Sequence, residues 1–441
     1  MEQHISLSSR ILLAPRRAGL CLGQDNSVEV LVRIQAPDSP AGEARTRPPQ
    51  AVSLVIDRSG SMAGGPLAEA RRCAEFVVSR LRPSDSVSVV QFDNRVQRLW
   101  PAVPLGDGDA VRGAISRIHA GGNTNLHGGW LEGASSLGEA AGSGLKRVIL
   151  LSDGGANEGV VDSDEIAKQC AEWAAKGITT STYGLGNNFN EDLMVAMARS
   201  GGGNHYYGDT ADDLMEPFQQ ELDLLNNLAL RQVQLAVSAP DGLQVEMLNA
   251  LPTTAAGWRL PDLAWGAEAW ALLRIKVPAG ALPGLGDRLT VLRVSVTGSD
   301  LDGEPVALER TGLALAVVTP AAFTSQPEDE LVRRRCDEVA AAQALTQMRS
   351  AAQAGDWALV DKLLSDAQQT FAGNEWLASI LESMVTLAQS RSHERVAKEA
   401  LYSSARLNSR LAMHDELHFT QSACEAPAYL RRKRQQGKSE I

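Results

Sequence analysis

The sequence predicts an α/β protein in which a doubly wound, mainly parallel sheet with helices on both faces accompanies an antiparallel β-sandwich and a C-terminal helical bundle. Three observations lead to this prediction. Between residues 50 and 225, short apolar runs alternate with stretches of helical spacing, as in a parallel sheet covered by helices. Residues 228–318 show two-residue alternation broken by proline and glycine. Residues 328–411 are rich in alanine and leucine at helical spacing.

The α/β region, residues 50–225, is assigned from its apolar runs. Residues 51–56 are mainly apolar, as expected for a central strand that is buried on both faces. Further strands are predicted around residues 87–92, at 148–151 and at 178–185. Helices are predicted where apolar residues recur at three or four positions, over residues 64–81, 108–119, 126–140, 162–176, 190–200 and 210–225.

The β-sandwich is predicted from two separate parts of the chain. Residues 1–45 contain an alternating strand pattern, carried by Val28, Val30, Val32 and Ile34. Residues 228–318 repeat that pattern, so we expect the N-terminal strands to join them in one sandwich. The α/β domain would then be inserted between the two parts, which is tolerated where the ends of the inserted domain lie close together. Residues 37–49 are rich in proline, glycine and arginine and are predicted to form a loop.

The C-terminal part divides into three segments. Residues 319–327 contain Pro320 and Pro327 and are predicted to form a linker. Residues 328–411 show three apolar stripes at helical spacing, which predict a small helical bundle with an ordinary packed core. Residues 412–441 are expected to be a disordered tail, and their basic run at 431–434 is expected to be solvated.

Composition argues against several classes of protein. The formal net charge is −11, so a broad nucleic-acid-binding surface is not expected. The five cysteines are far apart and include no CxxC pair, which argues against a zinc ribbon and a disulfide framework. Residues 1–17 lack the apolar segment of a signal peptide, and no window reaches the roughly 18 apolar residues of a membrane span. We therefore expect a cytoplasmic protein with no membrane span.

A cluster of oxygen-bearing side chains follows the first buried strand. Asp57 ends that strand, and Ser59 and Ser61 follow at the second and fourth positions. In an open α/β sheet, ligands bind beyond the carboxyl ends of the strands. If the loop curls, the carboxylate and both hydroxyls can face one point, and such hard oxygen donors suit Mg2+, Mn2+ or Ca2+ rather than zinc.

Two later loops are expected to converge on the same point. Thr124 lies in the run GGNTN before a predicted helix, and its glycines allow the backbone to come close. Asp153 follows the buried strand at residues 148–151 and offers a second carboxylate. The candidate metal ligands are therefore Asp57, Ser59, Ser61, Thr124 and Asp153.

Residues 50–225 resemble the von Willebrand factor A domain, which occurs in integrins and in many bacterial proteins. The family's metal-ion-dependent adhesion site has the pattern DxSxS, then a distant Thr, then a distant Asp. Asp57, Ser59 and Ser61 match the first part, Thr124 the second and Asp153 the third. The runs DRSGSM, GGNTN and LLSDGGANEG are similar to those of bacterial members. The resemblance implies a bound Mg2+, with Mn2+ or Ca2+ as alternatives, and one open position for water or a partner's Glu or Asp.

The motif residues allow other interpretations. The site could be degenerate and hold no metal in use. Ser59 or Ser61 could be a catalytic nucleophile, but the run is not G-x-S-x-G and the motif loops contain no histidine other than His127, three residues after Thr124. His127 is expected to be a first-turn helix residue near the rim. Arg58 is expected to point outward, where it could help to select an acidic partner.

These features predict a metal-dependent protein-binding or scaffold protein that is not an enzyme and whose cation coordinates an acidic residue of a partner. The resemblance offers an alternative, a regulatory subunit or adaptor of a MoxR- or chelatase-type AAA+ ATPase, because bacterial members often work with such ATPases. The chain itself carries no Walker motif. A third alternative, an enzyme whose metal activates water, is disfavoured because no general base accompanies the motif.

Overall fold

The computed structural model describes residues 9–36, 48–142, 144–153, 155–185, 191–208, 211–409 and 412–413. The predicted loop at 37–49 and the predicted tail at 412–441, with its basic run, lie almost wholly outside these residues. The N-terminal part contributes three strands, β1 (Arg10–Pro15), β2 (Gly19–Cys21) and β3 (Asn26–Gln35).

The α/β region alternates strands and helices along the chain, as the apolar runs predict. Its elements are β4 (Ala51–Asp57), α1 (Gly65–Arg80), β5 (Ser86–Phe92), β6 (Val96–Pro104), α2 (Asp109–Ser116), α3 (Leu126–Glu139), β7 (Lys146–Ser152), α4 (Ser163–Ala175), β8 (Ile178–Leu185), α5 (Glu191–Ser200), β9 (Gly202–Gly208) and α6 (Ala211–Asn226).

The six strands of this region form one sheet in the order β6-β5-β4-β7-β8-β9. Neighbouring strands are parallel except for the edge pair β5 and β6, which is antiparallel. Strands β4 and β7 are central neighbours, and Ile56 pairs with Leu151. The residues that follow these positions therefore leave the sheet side by side at its carboxyl edge, where open α/β sheets bind ligands.

The central strands bury apolar side chains on both faces of the sheet. Leu54 and Ile56 belong to a core formed with α1, α2 and α6. Val55, between them, belongs to a second core formed with α3, α4 and α5. The alternation of side chains along a strand places successive residues in opposite layers, so the fold class predicted from the sequence is confirmed.

The two edge strands of this sheet were not predicted. Strand β6 is only half-buried along its length and contains Pro101, which is typical of an edge. Strand β9 starts with Gly202 and Gly203 and has no run of aliphatic residues. Both strands have one neighbour in the sheet, so they lack the continuous apolar pattern by which a central strand is recognised.

The second β-region follows α6. Its strands are β10 (Leu228–Ser238), β11 (Gln244–Met247), β12 (Thr253–Thr254), β13 (Gly257–Arg259), β14 (Leu263–Ala264), β15 (Ala267–Val277), β16 (Arg288–Ser299), β17 (Pro305–Ala307) and β18 (Thr311–Val318). They form two sheets, and each sheet includes N-terminal strands. One has the order β1-β3-β15-β11 and the other β12-β13-β10-β16-β18-β2.

The N-terminal strands are integral to these two sheets. Strand β3 pairs with β15 along its whole length, and β2 pairs in parallel with β18. Val30, Val32 and Ile34 of β3 are fully buried in one core with Val294 and Val296 of the opposite sheet. The α/β region is therefore inserted between the parts of a two-layered β-structure.

The C-terminal part is helical. It contains α7 (Pro320–Ser325), α8 (Glu330–Gln353), α9 (Trp357–Thr370), α10 (Glu375–Gln389) and α11 (His393–Ser409), followed by β19 (Ala412–Met413). The predicted linker thus includes the short helix α7, because Thr319 caps it by accepting a hydrogen bond from the Ala322 amide and Pro320 suits its first turn. Helices α8 to α11 share one apolar core. Across the described residues, no helix is long and apolar enough to cross a membrane.

Candidate metal centre

The turn after β4 is shaped by Asp57. The Asp57 side chain is fully buried, and its Oδ1 accepts a hydrogen bond from the Ser59 amide at 2.8 Å. This bond from an aspartate to the backbone two residues on curls the chain, and a single 3-10 turn, Gly60–Met62, follows. The carboxylate is also fixed from the neighbouring strand, because the Ser152 hydroxyl donates to its Oδ2 at 2.5 Å.

The curled turn brings the two motif serines together. The Oγ atoms of Ser59 and Ser61 lie 3.1 Å apart. Ser59 is buried, whereas Ser61 is exposed at the surface. The spacing of two residues therefore produces a pair of adjacent hydroxyl oxygens, one inside and one facing solvent.

The Thr124 loop is attached to this turn through the backbone. The Gly60 amide donates to the Gly122 carbonyl at 2.9 Å, and the Gly121 amide donates to the Arg58 carbonyl at 2.8 Å. Gly122 has a φ of 74°, and a Cβ on it would lie 2.4 Å from Asn94 Oδ1, so only glycine fits this approach. Thr124 itself is buried.

The Asp153 loop is attached in turn to the Thr124 loop. The Asn157 side chain accepts a hydrogen bond from the Thr124 amide at 2.9 Å. The amides of Asn157 and Glu158 both donate to the Thr124 carbonyl, at 3.1 and 3.2 Å. Asp153 is 7% exposed. Its Oδ1 is buried and has no hydrogen-bond partner among the described residues.

The structure therefore joins the three loops that carry the five candidate ligands, although they are up to 96 residues apart in the chain. The family model of the von Willebrand factor type A domain matches residues 52–221. These residues form a von Willebrand factor A domain. Domains of this family commonly bind a divalent cation and often mediate metal-dependent protein interactions.

Curated relatives are similar to less than half of this chain. The chain is 29% identical to the uncharacterised protein sll0103 of Synechocystis, over 43% of this chain and 44% of that protein. It is 30% identical to the uncharacterised protein YfbK of Escherichia coli, over 45% of this chain and 34% of that protein. It is 28% identical to inter-alpha-trypsin inhibitor heavy chain H1 of Sus scrofa, over 43% of this chain and 22% of that protein. The match thus spans less than half of each relative.

Two solved structures are similar over almost the whole chain. A von Willebrand factor type A protein from Catenulispora acidiphila has a TM-score of 0.69 at 17% identity, covering 92% of this chain and 98% of that one. The ArnB paralog VWA2 from Sulfolobus acidocaldarius has a TM-score of 0.59 at 18% identity, covering 90% and 98%. At such identities the likeness concerns the fold, and it extends beyond the A domain to the sandwich and the helices.

The electrostatics of the A-domain site favour a bound cation. Burial raises the pKa of Asp57 to about 6, and the charge of Asp153 adds to this, while hydrogen bonds from Ser152 and Ser59 oppose it. Two carboxylates thus share a poorly solvated site in which the Asp153 Oδ1 atom has no donor in the described part of the chain. Burying a carboxylate without a partner is costly, and an ion charged 2+ would offset that cost.

The donor set fits a hard cation. The five candidate side chains offer only carboxylate and hydroxyl oxygens, which magnesium, manganese and calcium accept. No group of three or more His, Cys, Asp or Glu side chains that could hold a metal occurs among the described residues. A metal at this site therefore depends on the hydroxyls of Ser59, Ser61 and Thr124 as much as on the carboxylates.

The expected outward orientation of Arg58 is wrong. Its Nη2 lies 2.6 Å from Asp93 Oδ2, and its Nη1 donates to the His119 carbonyl at 3.2 Å. Asp93 follows β5 directly, and its carbonyl accepts a hydrogen bond from the Asn125 amide at 2.8 Å. Arg58 thus ties the DxSxS turn to the end of a neighbouring strand. No local pattern marks this pair, because its members are 35 residues apart.

His127 and Asn125, two polar residues beside Thr124, form hydrogen bonds within the protein. His127 lies in the first turn of α3, as expected, but it is buried there, and its Nε2 is 2.8 Å from Gln169 Oε1. The Asn125 side chain caps the same helix by accepting from the Gly128 amide at 2.9 Å. Sequence reasoning did not identify Ser152, whose hydroxyl holds Asp57. Its position beside Asp153 at the end of β7 is the only sequence signal of that role.

Proposed function

We propose that the A domain binds Mg2+ through Asp57, Ser59, Ser61, Thr124 and Asp153, and that the bound cation takes up a Glu or Asp side chain of a partner protein. The observation that carries this proposal is the Oδ1 atom of Asp153, a buried carboxylate oxygen that accepts no hydrogen bond from any described residue. It shares the site with the second buried carboxylate, Asp57.

Each of the five residues has a distinct part in this proposal. Asp57 is fixed by Ser152 and by the Ser59 amide, so its carboxylate is oriented before any ion arrives. The hydroxyls of Ser59 and Ser61 supply neighbouring neutral oxygens. Asp153 supplies a carboxylate whose buried Oδ1 accepts no hydrogen bond from a described residue, whereas both oxygens of Asp57 accept one. A bound Mg2+ would supply the positive charge that this site lacks, and Mg2+ in proteins usually keeps part of its hydration.

The exposure of the site supports an outside ligand. Asp57, Ser59, Thr124 and Asp153 are buried, whereas Ser61 and the neighbouring Gly60 are exposed. The site is thus enclosed on the protein side and open on one side, so a partner's carboxylate could displace a water there. A desolvated charged contact at the centre of an interface is typically worth on the order of 2–4 kcal/mol.

The proposal is one of binding rather than of catalysis. The nearby imidazole, His127, is buried and lies against Gln169, so it is not positioned as a general base towards the open side. The identity of the partner stays a prediction, and an AAA+ ATPase is the candidate that the family resemblance suggests.

The first test measures cation binding directly. Isothermal titration of the purified chain with Mg2+ should show saturable binding to one site. Asp57→Ala should weaken that binding by at least about 100-fold, because one of the two carboxylates is lost. Asp164→Ala, at the exposed first turn of α4, is the matched control and should bind as the wild type does.

The second test measures partner capture. The wild-type chain with Mg2+ should retain proteins that are lost both in EDTA and in Asp57→Ala, while circular dichroism shows an unchanged fold. Recovery of the same proteins with wild type in Mg2+, with wild type in EDTA and with Asp57→Ala would contradict metal-dependent binding of the partner. Mass spectrometry of the proteins that only the wild type with Mg2+ retains would identify or exclude an AAA+ ATPase.

A further inference from the structure

The amino end of the parallel sheet carries a cleft of about 500 Å³, on the far side of the domain from the metal centre. It lies where the starts of β7 and β8 and the end of α4 meet the sandwich strand β10. The side chains and backbone that matter here are Lys146, Trp173, Lys176, Gly177, Arg231 and Gln232. We propose that this cleft binds a small anion that carries phosphate groups.

Three cations line the cleft, and each is held by a neutral group. Lys146 Nζ donates to the Ala140 carbonyl at 2.8 Å. Lys176 Nζ lies 4.7 Å from the centre of the Trp173 ring. Arg231 Nη2 is 3.5 Å from the Gly177 carbonyl. An ammonium has three donors and a guanidinium five, so each cation keeps donors for a ligand.

No acidic side chain in the described part of the chain forms an ion pair with these three cations. The buried acids behind the cleft are engaged elsewhere, since Arg147 contacts Glu221 directly and its Nη2 lies 3.7 Å from Asp262. Burial lowers the pKa of Arg231, and the more distant charges of Asp262 and Asp300 only partly offset this. Burial also lowers the pKa of Lys146. The cleft therefore carries three cations without a direct ion pair in the described part of the chain, in a protein of net charge −11.

The backbone at the cleft is strained. Gln232 has a φ of 52°, which side chains larger than glycine rarely adopt. The register of β10 against β16 shifts between Arg231 and Gln234, so Gln232 lies in a bulge. Its side chain donates to the Ala174 carbonyl, at the end of α4. Such strain tends to occur where structure is held for a ligand.

The size and chemistry of the cleft favour a small phosphate compound. A volume of about 500 Å³ lies in the range of small-molecule sites. Two lysines act as point charges and the guanidinium of Arg231 can bind two oxygens of one phosphate. A long polyanion is disfavoured, because the overall negative charge of the chain would repel it beyond the cleft.

Pyrophosphate is a suitable probe. Isothermal titration in EDTA, at constant ionic strength, excludes any contribution from a metal at the A-domain site. Wild type and Asp57→Ala should both bind one pyrophosphate per chain, more tightly than inorganic phosphate or citrate. Binding by wild type but not by Asp57→Ala would overturn the assignment, and so would tighter binding of citrate. Since Asp57 lies at the opposite end of the sheet, this test is independent of the cation-binding function.

Charge-neutral variants locate the site. The double variant Lys146→Gln, Lys176→Gln alters partly or fully exposed side chains and should weaken pyrophosphate binding by at least about 10-fold. Arg231→Gln should weaken it further, and its fold should be checked because Arg231 is buried. Lys168→Gln, exposed on α4 outside the cleft, is the matched control and should bind as the wild type does. Absence of saturable binding by the wild type, or equal affinities in the double variant and the wild type, would refute the proposal.

Discussion

The two ends of the parallel sheet carry opposite charge on the same scaffold. At the carboxyl end, Asp57 and Asp153 are buried together, and the Asp153 Oδ1 atom has no donor within the described residues. At the amino end, Arg147 is paired with Glu221 and Asp262, whereas the cleft cations Lys146, Lys176 and Arg231 form no ion pair among the described residues. One end therefore has a buried carboxylate oxygen without a donor and the other has cations without an ion pair, and this difference indicates which kind of ligand each end would accept.

The buried ion pair of Arg147 and Glu221 at the amino end predicts the largest loss of stability on substitution. Arg147→Met removes the direct partner of Glu221, which is fully buried and also accepts from Ser181 and Asn204. Leaving a buried carboxylate without its cation typically costs about 3–5 kcal/mol. Urea unfolding followed by circular dichroism should show this loss. Arg112→Met, which removes an exposed ion pair with Asp109, should change the stability little.

The carboxyl end should respond to pH through Glu191, in the first turn of α5. Burial raises the pKa of Glu191 to about 7, although Lys398 and Arg349 oppose the shift. The folded state therefore holds its proton more tightly than the unfolded state. The resulting stability is fully present below about pH 4.5 and is lost as the pH rises through about 7.

Glu191→Gln should remove this contribution to the pH dependence and leave that of Asp57, whose pKa burial also raises. At pH 8 the variant should be more stable than the wild type by up to about 3 kcal/mol, and at pH 4.5 the two should be similar. Thermal unfolding at a series of pH values measures the difference. Asp164→Asn, at the exposed first turn of α4, is the control and should show the same pH dependence as the wild type. The expectation would be contradicted if the stability of the wild type rose relative to that of Glu191→Gln between pH 5 and 8.

Close packing of α3 against the end of β5, beside the candidate metal centre, predicts a smaller loss of stability when Gly129 is replaced. A Cβ on Gly129 of α3 would lie 2.4 Å from Phe92 Cδ1, at the end of β5. Gly129→Ala should therefore destabilise the chain by about 1–3 kcal/mol, and should also weaken Mg2+ binding because α3 follows the Thr124 loop directly. Gly113→Ala in α2 meets nothing within 4 Å and should be neutral or stabilising. Equal stabilities of the two variants in urea unfolding would contradict the packing.

The smallest expected effect concerns the hydrogen bond that orients Asp57. Ser152→Ala removes the hydroxyl that donates to Asp57 Oδ2. Residues that orient a metal ligand typically contribute about 10-fold or more to affinity, so Mg2+ binding should weaken by that order. Ser88→Ala removes a buried hydroxyl of the same sheet that bonds to Ser53, away from the site. It should leave the Mg2+ affinity unchanged in isothermal titration, and an equal loss in both variants would mean that the effect is not local.

Prediction succeeded where short-range patterns decide the structure. The run from Val52 to Ile56 is buried on both faces, and its apolar character alone identified a central strand. The DxSxS spacing predicted that the hydroxyls of Ser59 and Ser61 would adjoin, and they do. Their role as metal ligands, together with Asp57, Thr124 and Asp153, stays a prediction that the binding experiments test.

Prediction failed where a residue's environment comes from distant chain segments. Arg58 faces Asp93 because β4 and β5 are neighbours in the sheet, and nothing in the local sequence indicates this pair. The edge strands β6 and β9 lack an apolar pattern because each has a single neighbour. The cleft cations Lys146, Lys176 and Arg231 come from three separate elements, so their proximity is invisible in the sequence.

The sequence by itself determined the order of the central strands and the helices of the α/β region, its resemblance to the A-domain family and the set of oxygen-bearing residues at strand ends, because apolar period and residue spacing are local properties. Only the tertiary structure decided which charges meet. Packing of the sheet against the sandwich left Arg231 without an ion pair in the described chain, and the register of β4 on β7 brought Ser152 to Asp57. Electrostatic interactions and hydrogen bonds depend on distance in space, and folding alone sets that distance.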